Sequence, residues 1–172
     1  MSVHCVYNRG KKLPGEILMR SITLLCIVAI TVIGSAAENP PAAVTGQLLT
    51  PYYAIQKSLV SDSVNGVATA AAEMAKIGKQ ASTTRQAGKP ELLALSESAA
   101  KFSAADLKAG RAAFGDLSDK LIAFIKASNS AKNPPYQYYC PMVKKNWLQP
   151  DKGGARNPYY GSSMPTCGEL VP

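Results

Sequence analysis

From Leu107 to Ile125 apolar residues return at every third or fourth position: Leu107, Gly110, Phe114, Leu117, Leu121, Phe124 and Ile125. That spacing gathers side chains onto one face of an α-helix, whereas a strand alternates with a period of two. A helix with one apolar stripe must bury it against partners, and three further stretches supply them. Thr50 followed by Pro51 has the order of a cap residue and a first helical position, with Tyr52, Ile55 and Leu59 on one face beyond it. Val67, Ala70, Ala71, Met74 and Ile77 make a second stripe, rich in alanine and so suited to close approach. Pro90 opens a third helix carrying Leu92, Leu95, Ala99 and Phe102. Ser103 and Asp106 read as a capping box for the fourth, with Asp in place of the usual Glu. A break at Ser61 to Gly66, a polar loop from Gly78 to Lys89 and a stop at Asn129 to Pro135 keep the connections short. The expected fold class is all-α, an antiparallel four-helix bundle with an irregular, aromatic C-terminal segment containing Cys and Met.

The first 37 residues read differently. Arg20 precedes an apolar run from Ile22 to Ile33, about a dozen residues long, which suits the central region of a secretory signal. Gly34-Ser35-Ala36-Ala37 offers small residues before Glu38, so cleavage is expected after Ala37 and the natural start at Met19. A bilayer span needs about 20 apolar residues, so membrane contact is expected only through an uncleaved signal. Residues 38–49, rich in Pro and Ala, read as a disordered lead-in. Residues 50–172 are expected to form one helical domain with a tail over 134–172. The protein is expected in the periplasm or otherwise exported.

The processed chain would contain no histidine, since His4 lies in the leader. That excludes the Ser/His/Asp constellation and most zinc and haem ligation, and no other acid/base set or phosphate loop is evident. The chain is therefore read as a binding protein and not an enzyme. After Ala37, Lys and Arg outnumber Asp and Glu by 15 to 10, an excess spread along helices as on a solvated surface. No nucleic-acid partner is expected. Asp116 and Asp119 read as helix surface, and Lys144-Lys145 as a solvated turn.

The tail carries the chemistry. Five tyrosines and the one tryptophan lie in it, and such rings bury area while their polar tips find partners. Cys140-Pro-Met142 and Met164-Pro-Thr-Cys167 form a near-mirror pair around Gly153-Gly154. Thiolate and thioether are soft donors that select Cu(I) or Ag(I), so Cys140, Met142, Met164 and Cys167 are the candidate metal ligands. Zinc does not use Met, and two Cys do not close its shell. The alternative is a Cys140–Cys167 disulfide, the usual state of a lone cysteine pair in an oxidising compartment, with both methionines as packing residues. Such a bridge would stabilise a module that docks on an envelope partner. From these residues alone both readings stand.

Three segments also resemble an uncharacterised domain family of exported bacterial proteins: Tyr53 to Asp62, Arg111 to Ser118, and the tail with Cys140-Pro-Met142, Trp147-Leu-Gln149, Asn157-Pro-Tyr-Tyr-Gly161 and Met164-x-x-Cys167-Gly168. Similar domains are appended to periplasmic adaptor subunits of copper/silver efflux pumps. Here the spacer before Trp147 is shorter than the family pattern, and Pro165 stands where an aliphatic residue is usual. The resemblance implies a helical domain of the export compartment, favours copper over the disulfide, and implies an envelope efflux component as partner. It brings no enzymatic activity.

Overall fold

In the computed structural model the described residues are 41–84, 87–129 and 133–172. The leader expected over 1–37 lies outside them. Four helices come first: α1 (Pro41–Val60), α2 (Val67–Thr84), α3 (Lys89–Ala100) and α4 (Leu107–Ser128). Along the proposed stripe of α4, Phe114, Leu117, Leu121 and Phe124 are fully buried, while Leu107 and Ile125 at its ends are half-buried against the core. Each helix packs against its sequence neighbour where short loops join them, α1 on α2, α2 on α3 and α3 on α4, and α1 also meets α4.

Three boundaries differ from the sequence reading, each for a local reason. Residues 41–49 are helical, so α1 starts well before Thr50 and Pro51 lies inside it. Val44 and Leu48, both fully buried, extend the stripe of Tyr52, Ile55 and Leu59 at the same spacing. Proline also suits the first position actually used, Pro41. Of the stretch expected as loop, Gly78 to Thr84 are the last turns of α2. Gly78 sits where a Cβ would lie 3.0 Å from the Ser96 Cβ, and the Ser96 hydroxyl donates to the Ala75 carbonyl at 2.8 Å. The glycine therefore serves close contact of α2 with α3. The cap of α4 is Asp106 itself, whose carboxylate accepts from the Ala109 N–H at 2.8 Å, and not a Ser103 capping box.

The larger correction is the tail. The molecule is mostly helical but not all-α, because the segment expected to be irregular holds a three-stranded antiparallel sheet of order β2-β1-β3. The strands are β1 (Tyr136–Cys140), β2 (Lys145–Gln149) and β3 (Glu169–Leu170), and a 3-10 turn spans Gly161–Ser163. Tyr136, Tyr138, Cys140, Lys145, Trp147 and Gln149 occupy one sheet face by register. Tyr138 and Trp147 pair directly across the strands with ring centroids 5.4 Å apart. Strand β2 lies against α4. Tyr52 of α1 ties the sheet to the bundle: its hydroxyl accepts from the Leu148 N–H at 3.0 Å and bonds the Ser118 hydroxyl at 2.8 Å. Lys145, read as a solvated turn, instead runs its stem over Gly115 and donates to Asp116 and Asp119 at 2.9 and 2.7 Å. Among the described residues, no helix is long and apolar enough to cross a membrane.

Candidate functional site

Two buried amides organise what the tail does outside its strands. Gln149 accepts from the Trp147 indole N–H at 2.9 Å and the Arg156 N–H at 2.7 Å, and donates to the Gly154 carbonyl at 3.0 Å. Asn157, fully buried, opens the second knot. Its side-chain oxygen accepts from the Tyr159 N–H at 2.8 Å, the local closure that Asn side chains make in turns. Its Nδ2 donates to the Cys140 sulfur at 3.4 Å and to the Cys167 carbonyl at 2.7 Å. Its own backbone N–H donates to the Pro165 carbonyl at 2.9 Å, and its carbonyl accepts from Gly161 at 3.1 Å. Every polar atom of this buried residue is used, as burial demands.

The consequence concerns the cysteines. Cys140 ends β1 and Cys167 precedes β3, and these strands pair with Tyr139 opposite Glu169. Register and the shared Asn157 amide therefore bring Cys140 and the Cys167 backbone to one place. Both cysteines are free thiols, Cys140 fully buried and Cys167 half-buried. Gly168 beside them sits so close to the Trp147 ring that a Cβ would overlap it. A bulky residue there would push the Cys167 turn off the sheet.

The methionines are placed less alike. Met164 is joined to Cys167 by a turn, the Cys167 N–H donating to the Met164 carbonyl at 3.3 Å, and is 37% exposed. Met142 lies in the hairpin turn between β1 and β2 and is 59% exposed, although Cys140 two residues earlier is sealed. Cys-x-Met thus divides into an inner and an outer sulfur. Among the described residues no three His, Cys, Asp or Glu side chains cluster. The Cys140 sulfur on the Asn157 amide is a soft donor, of the kind that suits Cu(I) or Ag(I). None of the four sulfur residues lines the open groove of about 650 Å³ between α4 and the tail, where Arg111, Ala112, Lys145, Tyr159 and Tyr160 stand.

Residue-type reasoning alone did not single out Asn157, Gln149, Asp62 or Arg111. All four carry a signal in the local sequence: Asn157-Pro158 is a turn-forming dipeptide, and Asp62, Arg111 and Gln149 lie in segments that carry the resemblance. Arg111 donates from Nε to the Pro158 carbonyl at 3.1 Å and from Nη2 to the Leu59 carbonyl at 3.3 Å and to Asp62. Hydrogen bonds from the Ser162 side chain, then from Arg111, hold the Asp62 carboxyl below the usual carboxylate range. Burial raises the Tyr159 phenol well above its ordinary value, so its hydroxyl stays protonated and donates to the Asn146 carbonyl.

A family model described as a protein of unknown function (DUF3347) matches residues 48–133. That span takes in most of α1 and all of α2, α3 and α4, and ends before the first strand and before all four sulfur residues. No curated protein and no solved structure matches the chain.

Proposed function

The chain belongs to this family of proteins of unknown function, and from that premise we propose that it is an exported binding protein for a soft metal ion, Cu(I) or Ag(I), in envelope metal handling. One observation carries the reading: Asn157 draws the Cys140 sulfur and the Cys167 turn to a single amide. A metal bound there would rest on two thiolates, and an N–H aimed at sulfur is the kind of outer contact that orients a ligand. Met164, tied to Cys167, adds a thioether at the rim, and Met142, the most exposed of the four sulfurs, is placed to capture the ion first. The apolar leader and the resemblance to domains of copper/silver efflux adaptors support export and an efflux component as partner. No catalytic role is assigned.

A second reading has its own support. Cys140 is fully buried beside Cys167, which suits a disulfide that stabilises a protein-docking module. Metal and bridge use the same sulfurs and exclude each other.

Competition for Cu(I) against a chelator separates the two. The reduced wild type should retain one ion per chain, and a Cys140→Ser/Cys167→Ser variant should release it. Met164→Leu should weaken retention, while Met142→Leu should slow loading with little change in affinity. Equal retention by the wild type and the double cysteine variant defeats the metal reading.

A further inference from the structure

Asn157 does not hold its own position. Its chain neighbours are fixed from the helical side, by residues inside the span that the family model matches. Pro158, the next residue, gives its carbonyl to Arg111 Nε at 3.1 Å. Ser162 donates its backbone N–H to Asp62 at 3.2 Å and its hydroxyl to the same carboxylate oxygen. Between them Gly161, at φ 53°, lies so close that a Cβ would overlap both Asp62 Oδ1 and Arg111 Nη2, and its N–H returns to the Asn157 carbonyl at 3.1 Å. Only a residue without a side chain fits this approach, and the positive φ favours glycine independently.

Asp62 is itself unusual. It follows the end of α1 at φ 52°, a left-handed conformation that Asp tolerates better than most residues. Arg111 fixes it there by joining its carboxylate to the Leu59 carbonyl. From α4 the guanidinium thus reaches two other backbone segments, the end of α1 at Leu59 and the tail at Pro158.

We infer that Asp62 and Arg111 form a clasp that positions Asn157, and through it the Cys140–Cys167 pair, so that opening the clasp exposes the buried thiol without unfolding the helices. Asp62 and Arg111 are positioning residues and touch neither sulfur. The metal reading above supplies only the cargo, because the clasp acts on thiol exposure whether or not metal binds.

Site-resolved alkylation of the reduced full chain, read by mass spectrometry, tests this on the wild type, Asp62→Asn, Arg111→Lys and Ser162→Ala. Arg111→Lys keeps the charge but not the fork that reaches Pro158 and Asp62 together. Cys140 should react at least roughly tenfold faster in Asp62→Asn and Arg111→Lys, at a rate that low urea leaves nearly unchanged, as local opening requires. Helical circular dichroism should stay at the wild-type value. Ser162→Ala, which removes only a hydroxyl, should show a smaller rise with the same flat urea dependence, and it decides the matter if the charged-pair variants fail to fold. Wild-type labelling rates in the variants overturn the clasp. So does a faster rate that climbs with urea as steeply as global unfolding, since the pair would then merely add stability. Loss of Cu(I) retention by the wild type itself would defeat the metal reading and leave the labelling result to decide the clasp.

Discussion

Asn157 is the residue on which the tail turns, because it satisfies five backbone or side-chain partners from inside a sealed environment. Its amide does what no isosteric group repeats. Asn157→Asp keeps the oxygen that accepts from Tyr159 but removes both N–H donors, leaving the Cys167 carbonyl and the Cys140 sulfur facing a carboxyl group. Denaturant unfolding should show a loss of about 1–3 kcal/mol, the cost of buried groups left without partners. Cys140 should also become open to alkylation, and an unchanged midpoint would remove Asn157 from its central place. At this scale the sequence was partly legible. The types Cys, Met and Tyr announced their chemistry, but the types Asn and Gln did not say that Asn157 and Gln149, quoted only within the motifs of the resemblance, would be buried hubs. Their role depends on which carbonyls come near them after folding, and residue type does not encode that.

At the scale of elements, the stripe of α4 was readable through its middle because a 3.6-residue period persists there, although buried Ile122 lay outside it. Leu121 lies at its middle with no exposed surface. Leu121→Ala should cost about 2–5 kcal/mol, measured as a fall in the unfolding midpoint with an unchanged slope. The ends of helices were read less well, since Pro51 is a local start signal and the polar turns after Gly78 a local stop signal, and tertiary packing overrode both. The strands escaped notice for a different reason. Tyr136, Tyr138, Cys140 and Trp147 do alternate, but β1 and β2 are only five residues long and the turn between them lacks a strong hairpin dipeptide. Short strands rely on cross-strand partners, here Tyr138 with Trp147, and on the α4 surface beneath.

For the whole molecule, the joint between helices and tail is partly electrostatic and so depends on pH. Asp62, at that joint, is held below the ordinary carboxylate range by Ser162 and then Arg111, and within the tail Asp151 is held there by Arg156 and then the Gly153 N–H. A carboxyl whose folded value is lowered stabilises the fold above its unfolded value, about 3.9, and loses that contribution as pH falls through the lowered one. Thermal stability should therefore hold from neutrality to about pH 5 and then fall in acid, with a shallower fall in Asp62→Asn because that carboxyl no longer titrates. Identical acid profiles for the two proteins would mean that the joint is not charge-dependent.

The same joint sets the sulfurs that define the proposed function, and copper X-ray absorption tests that claim most directly. The sample is the Cu(I)-loaded full chain carrying His4→Ala, Cys5→Ser and Cys26→Ser, together with Met19→Leu, so that imidazole, thiol and internal thioether groups of residues 1–37 do not contribute. The account predicts a coordination shell of sulfur alone, with one sulfur fewer after Cys140→Ser. A shell dominated by nitrogen or oxygen, or one that Cys140→Ser leaves intact, would contradict it.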